Sequence, residues 1–297
     1  MMMDDILRAL AAGEVIIGDG AIGTQLQARG LPAGVLPELW NAEHPELVTA
    51  VHHAYLHAGA RIVTTNTFGG NRARLTSAGA ADRLTELNRK GVELARAAAD
   101  GRAWVLGDIG PTGHLLEPYG VLSIAEAEAI YREQVTVLAE AGVDAIAIET
   151  MNDIEEALCA VRMARAHTNL PVLCSFAFNA KGRTMMGLRP ADAAQRAAEA
   201  GAHAVGANCG EGPAAIVAAL TGMREAVDLP LIAQANAGVP QVGAEESTIW
   251  DVTPEQLAAH ARAFVDAGAR LVGGCCGTTP AHIAAVAAAL AGAAAPH

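Results

Sequence analysis

Eight short apolar runs punctuate this chain, at residues 15–19, 61–66, 103–108, 145–150, 172–178, 204–209, 231–236 and 270–275. Each is almost continuously apolar, the pattern of a strand buried on both faces and not of one that alternates between core and water. Between the runs lie longer stretches rich in Ala and Glu, such as 124–141, 154–167 and 254–267, which predict helices. Four runs are introduced by nearly the same phrase: Ala58-Gly59-Ala60-Arg61, Ala141-Gly142-Val143-Asp144, Ala200-Gly201-Ala202-His203 and Ala267-Gly268-Ala269-Arg270. A glycine there suits a left-handed helix C-cap that passes at once into a strand. Eight strand–helix units joined by right-handed crossovers predict a single (β/α)8 TIM barrel, one domain over residues 1–297.

The connections are asymmetric. Helix-to-strand returns are a few residues long, whereas the strand-to-helix segments 20–45, 67–81, 110–123 and 238–253 are long. Barrel enzymes keep their sites on loops at the strand C-terminal ends, so chemistry is expected there. The Ala-rich tail at 284–295 reads as the last helix, fraying at Gly292.

Composition narrows the function classes. A 297-residue chain that is 52% hydrophobic can bury a large core. Its formal charge of −12 argues against a nucleic-acid or anionic-membrane partner, which needs a basic surface. Only 3% of the residues are aromatic, which also argues against base stacking. The N-terminal stretch carries Asp4 and Asp5 and no long apolar segment, unlike a signal peptide, and no run approaches the roughly 18 apolar residues of a membrane span. Five cysteines without a secretion signal point to the reducing cytoplasm, where clustered cysteines bind metal or do chemistry.

The residues at the ends of the eight runs are Asp19, Asn66, Asp108, Glu149, Phe178, Cys209, Asn236 and the pair Cys275-Cys276. Three carboxylates, two amides and three thiols would converge on one face. Cys209, Cys275 and Cys276 give three thiolate ligands and leave a fourth position open, the ligand count of a catalytic zinc site. Successive strand side chains point to opposite faces, so the vicinal pair reaches one metal only if the strand ends there. Gly274 and Gly277 permit that break. The competing structure for the pair, a vicinal disulfide, would be strained. Thr279 as N-cap and Pro280 at the first helical position would open a helix whose positive end faces the thiolates. Cys159 and Cys174, within a helix and a strand, read as small buried hydrophobes.

Other signals are weaker. Gly18-Asp19-Gly20-Ala21-Ile22-Gly23 matches the G-x-G-x-x-G dinucleotide fingerprint, but Asp19 would repel a pyrophosphate and Pro32 and Pro37 curtail a following helix. The same loop could take an amino-acid headgroup, its N–H groups on the carboxylate and Asp19 on the ammonium. A carboxylate at Glu149 suggests a cationic partner, and Asp108 either shares that part or braces loops. His53 and His57 share a helical face, a possible metal pair that reads better as a solvated face, and Arg72 and Arg74 in their loop either meet an anion or are simply solvated.

Across nearly its whole length the chain resembles the homocysteine S-methyltransferase family, which includes betaine–homocysteine and S-methylmethionine–homocysteine methyltransferases and the homocysteine module of cobalamin-dependent methionine synthase. The resemblance rests on Asp19-Gly20-Ala21-Ile22-Gly23-Thr24, Thr65-Asn66-Thr67-Phe68, Glu149-Thr150-Met151, Gly206-Ala207-Asn208-Cys209-Gly210 and Gly273-Gly274-Cys275-Cys276-Gly277-Thr278-Thr279-Pro280. It implies a barrel with zinc on Cys209, Cys275 and Cys276. It also implies that Asp19, Gly20 and Ala21, with Glu149, grip the amino-acid end of homocysteine, and it adds Asn66 and Thr67 to the substrate side. Asn236 matches a family asparagine beside the metal that can fill the open position without substrate. The wording around Asn208-Cys209-Gly210 and Asn236-Ala237-Gly238 is nearest the cobalamin-dependent module. The folate- and cobalamin-binding segments of the full synthase are not in this sequence, which leaves the methyl donor open.

The expected function is therefore a zinc-dependent methyltransferase that converts homocysteine to methionine. The donor is either small, such as betaine or S-methylmethionine, or methylcobalamin or methyltetrahydrofolate delivered through a corrinoid partner. Two alternatives keep the zinc: a different acceptor thiol, and a module that presents homocysteine to a separate corrinoid protein and is inactive alone. A nucleotide-binding oxidoreductase built on residues 18–23 is a third.

Overall fold

Parallel strands that leave no free edge must close on themselves, and here they do so in a barrel with helices between the strands. The computed structural model describes residues 6–242 and 248–291. Its strands are β1 (Ile16–Ile17), β2 (Ile62–Thr64), β3 (Trp104–Ile109), β4 (Ala145–Met151), β5 (Val172–Phe176), β6 (Ala204–Cys209), β7 (Leu231–Ala235), β8 (Gln241–Val242), β9 (Thr248–Ile249) and β10 (Ala269–Gly274). Eight of these form one parallel sheet in the order β1-β10-β7-β6-β5-β4-β3-β2. The (β/α)8 architecture expected from the sequence is the one observed. The remaining two, β8 and β9, pair as an antiparallel hairpin that the sequence pattern did not announce.

The helices are α1 (Ile6–Ala11), α2 (Gly23–Gln27), α3 (Trp40–Glu43), α4 (Pro45–His57), α5 (Arg72–Ser77), α6 (Leu84–Ala99), α7 (Ile124–Ala141), α8 (Ile154–His167), α9 (Pro190–Glu199), α10 (Pro213–Arg224), α11 (Pro254–Asp266) and α12 (Pro280–Leu290). The repeated phrase before four strands is a left-handed exit, with φ near +100° at Gly59, +91° at Gly142, +103° at Gly201 and +104° at Gly268. Helix α12 begins as expected, with Thr279 as N-cap and Pro280 first. The fraying expected at Gly292 lies outside the described residues. No helix among the described residues is long and apolar enough to cross a membrane.

Two apolar layers hold the barrel. An inner layer of Ile16, Ile62, Trp104, Leu106, Ala145, Ala147, Leu173, Ala204, Ile232 and Leu271 fills the interior, and α1 plugs its lower end with Ile6, Ala9 and Leu10. An outer layer, including Ile146, Ile148, Val205, Ala207 and Val272, packs against the helices. Alternation along the strands sorts the residues between the layers, with one slip in β10 between Ala269 and Leu271.

The seam between β1 and β2 closes in two steps. Low in the barrel, the Arg61 N–H donates to the Ile17 carbonyl at 2.8 Å. At the mouth, the Asp19 carboxylate replaces a strand: it accepts from the Thr64 N–H at 2.6 Å and the Thr64 hydroxyl at 2.8 Å.

The interior is tight enough that one methyl group matters. A Cβ on Gly206 would sit 2.2 Å from the Ile232 carbonyl oxygen on the next strand. Gly206→Ala should therefore destabilise the barrel by about 1–3 kcal/mol, because backbone cannot yield as a side chain does. Thermal and urea denaturation check this, and an unchanged midpoint would refute the tight packing.

Candidate functional site

Side chains on a strand alternate, yet this site needs sequence neighbours to face one point. The backbone solves the conflict by breaking three strands at their ends. In β4, Ala145 and Ala147 face the interior while Ile146 and Ile148 face the helices. Glu149 continues the inward series, but Met151, of the same parity, packs in the outer layer. The intervening Thr150 takes φ +61°, and the β4–β5 register shifts between Ile148 and Met151. Glu149 thus faces the barrel mouth by plain alternation, and the bulge just after it returns Met151 to the core. A left-handed β-branched residue is strained, by about 1–3 kcal/mol.

In β6 the inward positions are Ala204, Gly206 and Asn208, so Cys209 should face outward. Its φ of +58° turns it to the mouth instead. Strand β10 ends at Gly274, and Cys275 and Cys276 follow in the turn before α12. Glycines let that turn pack closely: a Cβ on Gly274 would lie 2.3 Å from the Thr278 hydroxyl, and one on Gly277 would lie 2.1 Å from the Trp250 ring. As a result the sulfur atoms of Cys209, Cys275 and Cys276 all lie within 4.8 Å of one another, a group able to hold a metal ion.

Thr278 ties this turn to the loop after β1. Its hydroxyl donates to the Cys275 carbonyl at 2.7 Å and accepts from the Ala21 N–H at 3.1 Å. The Tyr55 hydroxyl bridges the same two loops, 2.8 Å from the Ala21 carbonyl and 3.1 Å from that of Thr278. Gly20 is needed beneath them, because a Cβ there would meet the Tyr55 ring at 2.8 Å.

These elements surround a cavity of about 300 Å³, within the size range of small-molecule sites. Its wall includes Asp19, Gly20, Ala21, Asn66, Asp108, Glu149, Cys209, Cys275 and Cys276, which the sequence had singled out. Two other expected residues stand behind the wall. Thr67 donates its hydroxyl to the Asp108 carbonyl, and Asn236 packs against the thiols, its Nδ2 3.5 Å from the Cys209 sulfur and 2.9 Å from the Gly210 carbonyl. The Asn236 Oδ1 is buried without a partner. Asn66 is on the wall but turns its amide to the Pro37 carbonyl and to Asn41. His53 and His57 lie together on α4, away from this group, with His57 Nδ1 2.7 Å from the His53 carbonyl.

The wall also carries Glu38, Arg74 and Phe68. Glu38 accepts from the Gly69 N–H at 2.5 Å, and its second oxygen is buried without a partner. Nothing in the sequence distinguished it from other loop carboxylates; only the fold of residues 20–45 turns it inward.

Burial governs the electrostatics. It pushes Glu149 up to about 8, helped by the charges of Cys209 and Asp19. It pushes Asp19 up to about 6 against the opposing hydrogen bonds from Thr64. Asp108 is raised well above the usual carboxylate range by burial and then by Glu149, Glu38 and Asp19, and Glu38 is raised by burial too. So many acids in one cavity oppose one another's ionisation, and Asp108 feels this most. The thiols share protons: Cys209 is lowered because Cys275 and Cys276 both donate to it, and those two are raised in turn. Cys159 and Cys174 are pushed by burial to about 11 and about 12.

This ordering sets thiol reactivity. In metal-free protein near neutral pH, iodoacetamide should label Cys209 first, with Cys159 and Cys174 untouched until the protein unfolds. Peptide mass spectrometry of a labelling time course reads the order, and early labelling of Cys174 would contradict it.

The homocysteine S-methyltransferase family profile matches residues 16–290. The chain is 36% identical to methionine synthase of Mycobacterium tuberculosis over 97% of its own length. It spans only 25% of that relative. It is 33% identical to betaine–homocysteine S-methyltransferase 1 of Xenopus laevis, covering 95% of this chain and 74% of the relative. The metallated form of the homocysteine methyltransferase MmuM from Escherichia coli superposes with a TM-score of 0.80 at 29% identity, over 95% of this chain and 99% of that one.

Proposed function

The chain belongs to the homocysteine S-methyltransferase family, a family of methyltransferases, and from that membership we propose that it methylates the sulfur of homocysteine to give methionine. We propose further that Cys209, Cys275 and Cys276 hold zinc. The observation that carries this reading is the meeting of three thiols and the Glu149 carboxylate on one enclosed cavity. The donor set fits the ion: three soft sulfurs suit zinc and leave one position for a substrate thiol. Asn236 stands beside this group, its Nδ2 3.5 Å from the Cys209 sulfur and its Oδ1 buried without a partner, a neutral side chain next to the proposed metal site.

When bound, zinc supplies a soft Lewis acid that favours the ionised form of a thiol near neutral pH. The chain's own residues do the rest. Glu149, backed by the charge of Asp19, receives the substrate ammonium, whose positive charge offsets the burial that holds Glu149 at about 8. Asp19 lines the same cavity, and its oxygens, each accepting one hydrogen bond from Thr64, keep further lone pairs for the substrate ammonium. Gly20 and Ala21 form the wall beside the headgroup, with the Ala21 N–H already held by Thr278. Asn66 and Thr67 brace that wall through Asn41 and the Asp108 carbonyl.

The homocysteine sulfur gives its thiol proton to solvent and then forms the new S–C bond in line. The bond from the methyl carbon to the donor breaks, and the electron pair leaves on the donor atom. That atom must leave well, so the donor is cationic or cobalt-bound. A cytoplasmic setting, which keeps thiols reduced, suits this chemistry.

One observation favours a second reading. Leu115, Tyr119, Val121, Met185, Val239 and Ile249 are exposed, and all stand on the loops that follow β3, β5 and β7 at the mouth. An apolar rim there suits a barrel that presents homocysteine to a separate methyl-carrying protein, such as a corrinoid protein.

A donor panel tests both readings. Zinc-loaded protein with homocysteine is given betaine, S-methylmethionine, S-adenosylmethionine, methylcobalamin or methyltetrahydrofolate, and methionine is assayed. Turnover with a small donor supports the first reading; turnover only after adding a methylated corrinoid protein supports the second. No methionine under either condition sinks both.

For the metal, elemental analysis should give one zinc per chain in the parent and in Cys159→Ala, and essentially none in Cys276→Ala with the fold retained. Full zinc in Cys276→Ala would falsify the ligand assignment. For the headgroup, Glu149→Gln should weaken homocysteine binding by about 3–5 kcal/mol while zinc content holds, because the ammonium loses its buried partner. Calorimetry that finds parental affinity in Glu149→Gln removes that role.

A further inference from the structure

Asn208 is fully buried, and its amide uses its hydrogen-bonding capacity on both sides. Its Oδ1 accepts from the Thr150 N–H at 2.8 Å and from the Ser175 hydroxyl at 2.8 Å. Its Nδ2 donates to the Thr150 hydroxyl at 2.7 Å and lies 3.8 Å from the Cys275 sulfur. The orientation of the amide is not ambiguous. A backbone N–H can only donate, so the atom facing Thr150 N must be the oxygen, and the NH2 group must face the sulfur.

One side chain thus grips both halves of the site. Toward β4 it holds the N–H and the hydroxyl of Thr150, the left-handed residue directly after Glu149. Strain of this kind persists only where the surroundings over-determine it, and Asn208 supplies that restraint. Toward β10 it presents an N–H to Cys275, which favours negative charge on that sulfur. Ser175, buried on β5, locks the amide from a third strand.

We propose that Asn208 is a positioning residue that couples the thiol cluster to the Glu149 headgroup site, so that one substitution shifts both metal affinity and homocysteine affinity. The proposal rests on the reading that Cys209, Cys275 and Cys276 hold zinc and that Glu149 meets the homocysteine ammonium.

Two substitutions separate the halves. Asn208→Asp keeps the acceptor for Thr150 N–H and Ser175, and the Thr150 hydroxyl can reverse and donate to the second carboxylate oxygen. The clamp on the bulge survives, while the N–H facing Cys275 becomes a repelling oxygen. Asn208→Ala removes both functions.

The measurements are zinc affinity by chelator competition, the absorption of the cobalt(II)-substituted protein, homocysteine affinity at saturating metal, and thermal midpoint. Asn208→Asp should weaken metal binding by about 10–100-fold and shift the thiolate-to-cobalt charge-transfer band, with homocysteine affinity within about threefold of the parent. Asn208→Ala should lose metal affinity and also bind homocysteine at least about tenfold more weakly. An unchanged cobalt spectrum and zinc affinity in Asn208→Asp would show the sulfur contact to be idle and overturn the coupling. Parental homocysteine affinity in metal-saturated Asn208→Ala would overturn it from the other side. If Asn208→Ala does not fold, equal weakening of metal and homocysteine binding in Asn208→Asp overturns the division between halves. A parent that binds neither cobalt nor homocysteine fails the underlying reading itself, and the coupling falls with it.

Discussion

The alternation of side chains along a strand is the constraint around which this molecule is arranged. A barrel strand sends every second residue inward, and a site built from adjacent residues cannot obey that rule. The chain breaks it where the strands end and the cost falls on few hydrogen bonds. Thr150 and Cys209 accept left-handed backbone, and β10 stops one residue before its cysteines. Below those points the alternation sorts the inner and outer layers, save at the foot of β10, where the register shifts between Ala269 and Leu271.

The seam between β1 and β2 shows a related economy. A strand of two residues is too short to pair along the length of β2. The Asp19 carboxylate finishes the closure, and its two oxygens do so with Thr64. That fixes the acid at the mouth, with acceptor capacity still free on both oxygens. Tyr55 and Thr278 secure the same loop from α4 and from the thiol turn. The first and last strands are thereby joined where the chemistry is expected.

Much of this was legible in the sequence. The apolar runs and the Ala-Gly phrases gave the barrel, because parallel strands covered on both faces leave an unmistakable composition. The polar residues closing those runs located the thiols, Glu149 and Asp108, since such groups have no place in a core. What stayed hidden depended on direction. Asn66 and Asn236 end runs like the others, yet one braces a loop and the other stands behind the thiols. Glu38 entered from a long loop whose path no periodicity records. Asn208 stood inside a quoted motif, but its four contacts come from three strands distant in sequence. The β8–β9 hairpin was missed because two-residue strands lie below the length at which alternation can be seen.

The two apolar layers and the α1 plug contain none of the loops after β3, β5 and β7, apart from Leu116, Phe178 and a few flanking contacts. Fold and reach therefore sit in separate parts of the chain. The loops after β3 and β5 can exchange residues at little cost to that core, whereas the loop after β7 sets Trp250 against Gly277 of the thiol turn. Under the proposed function, choice of methyl source would be a property of the rim, open to change by small insertions, whereas the acceptor side would be bound to the strands and inherit their rigidity.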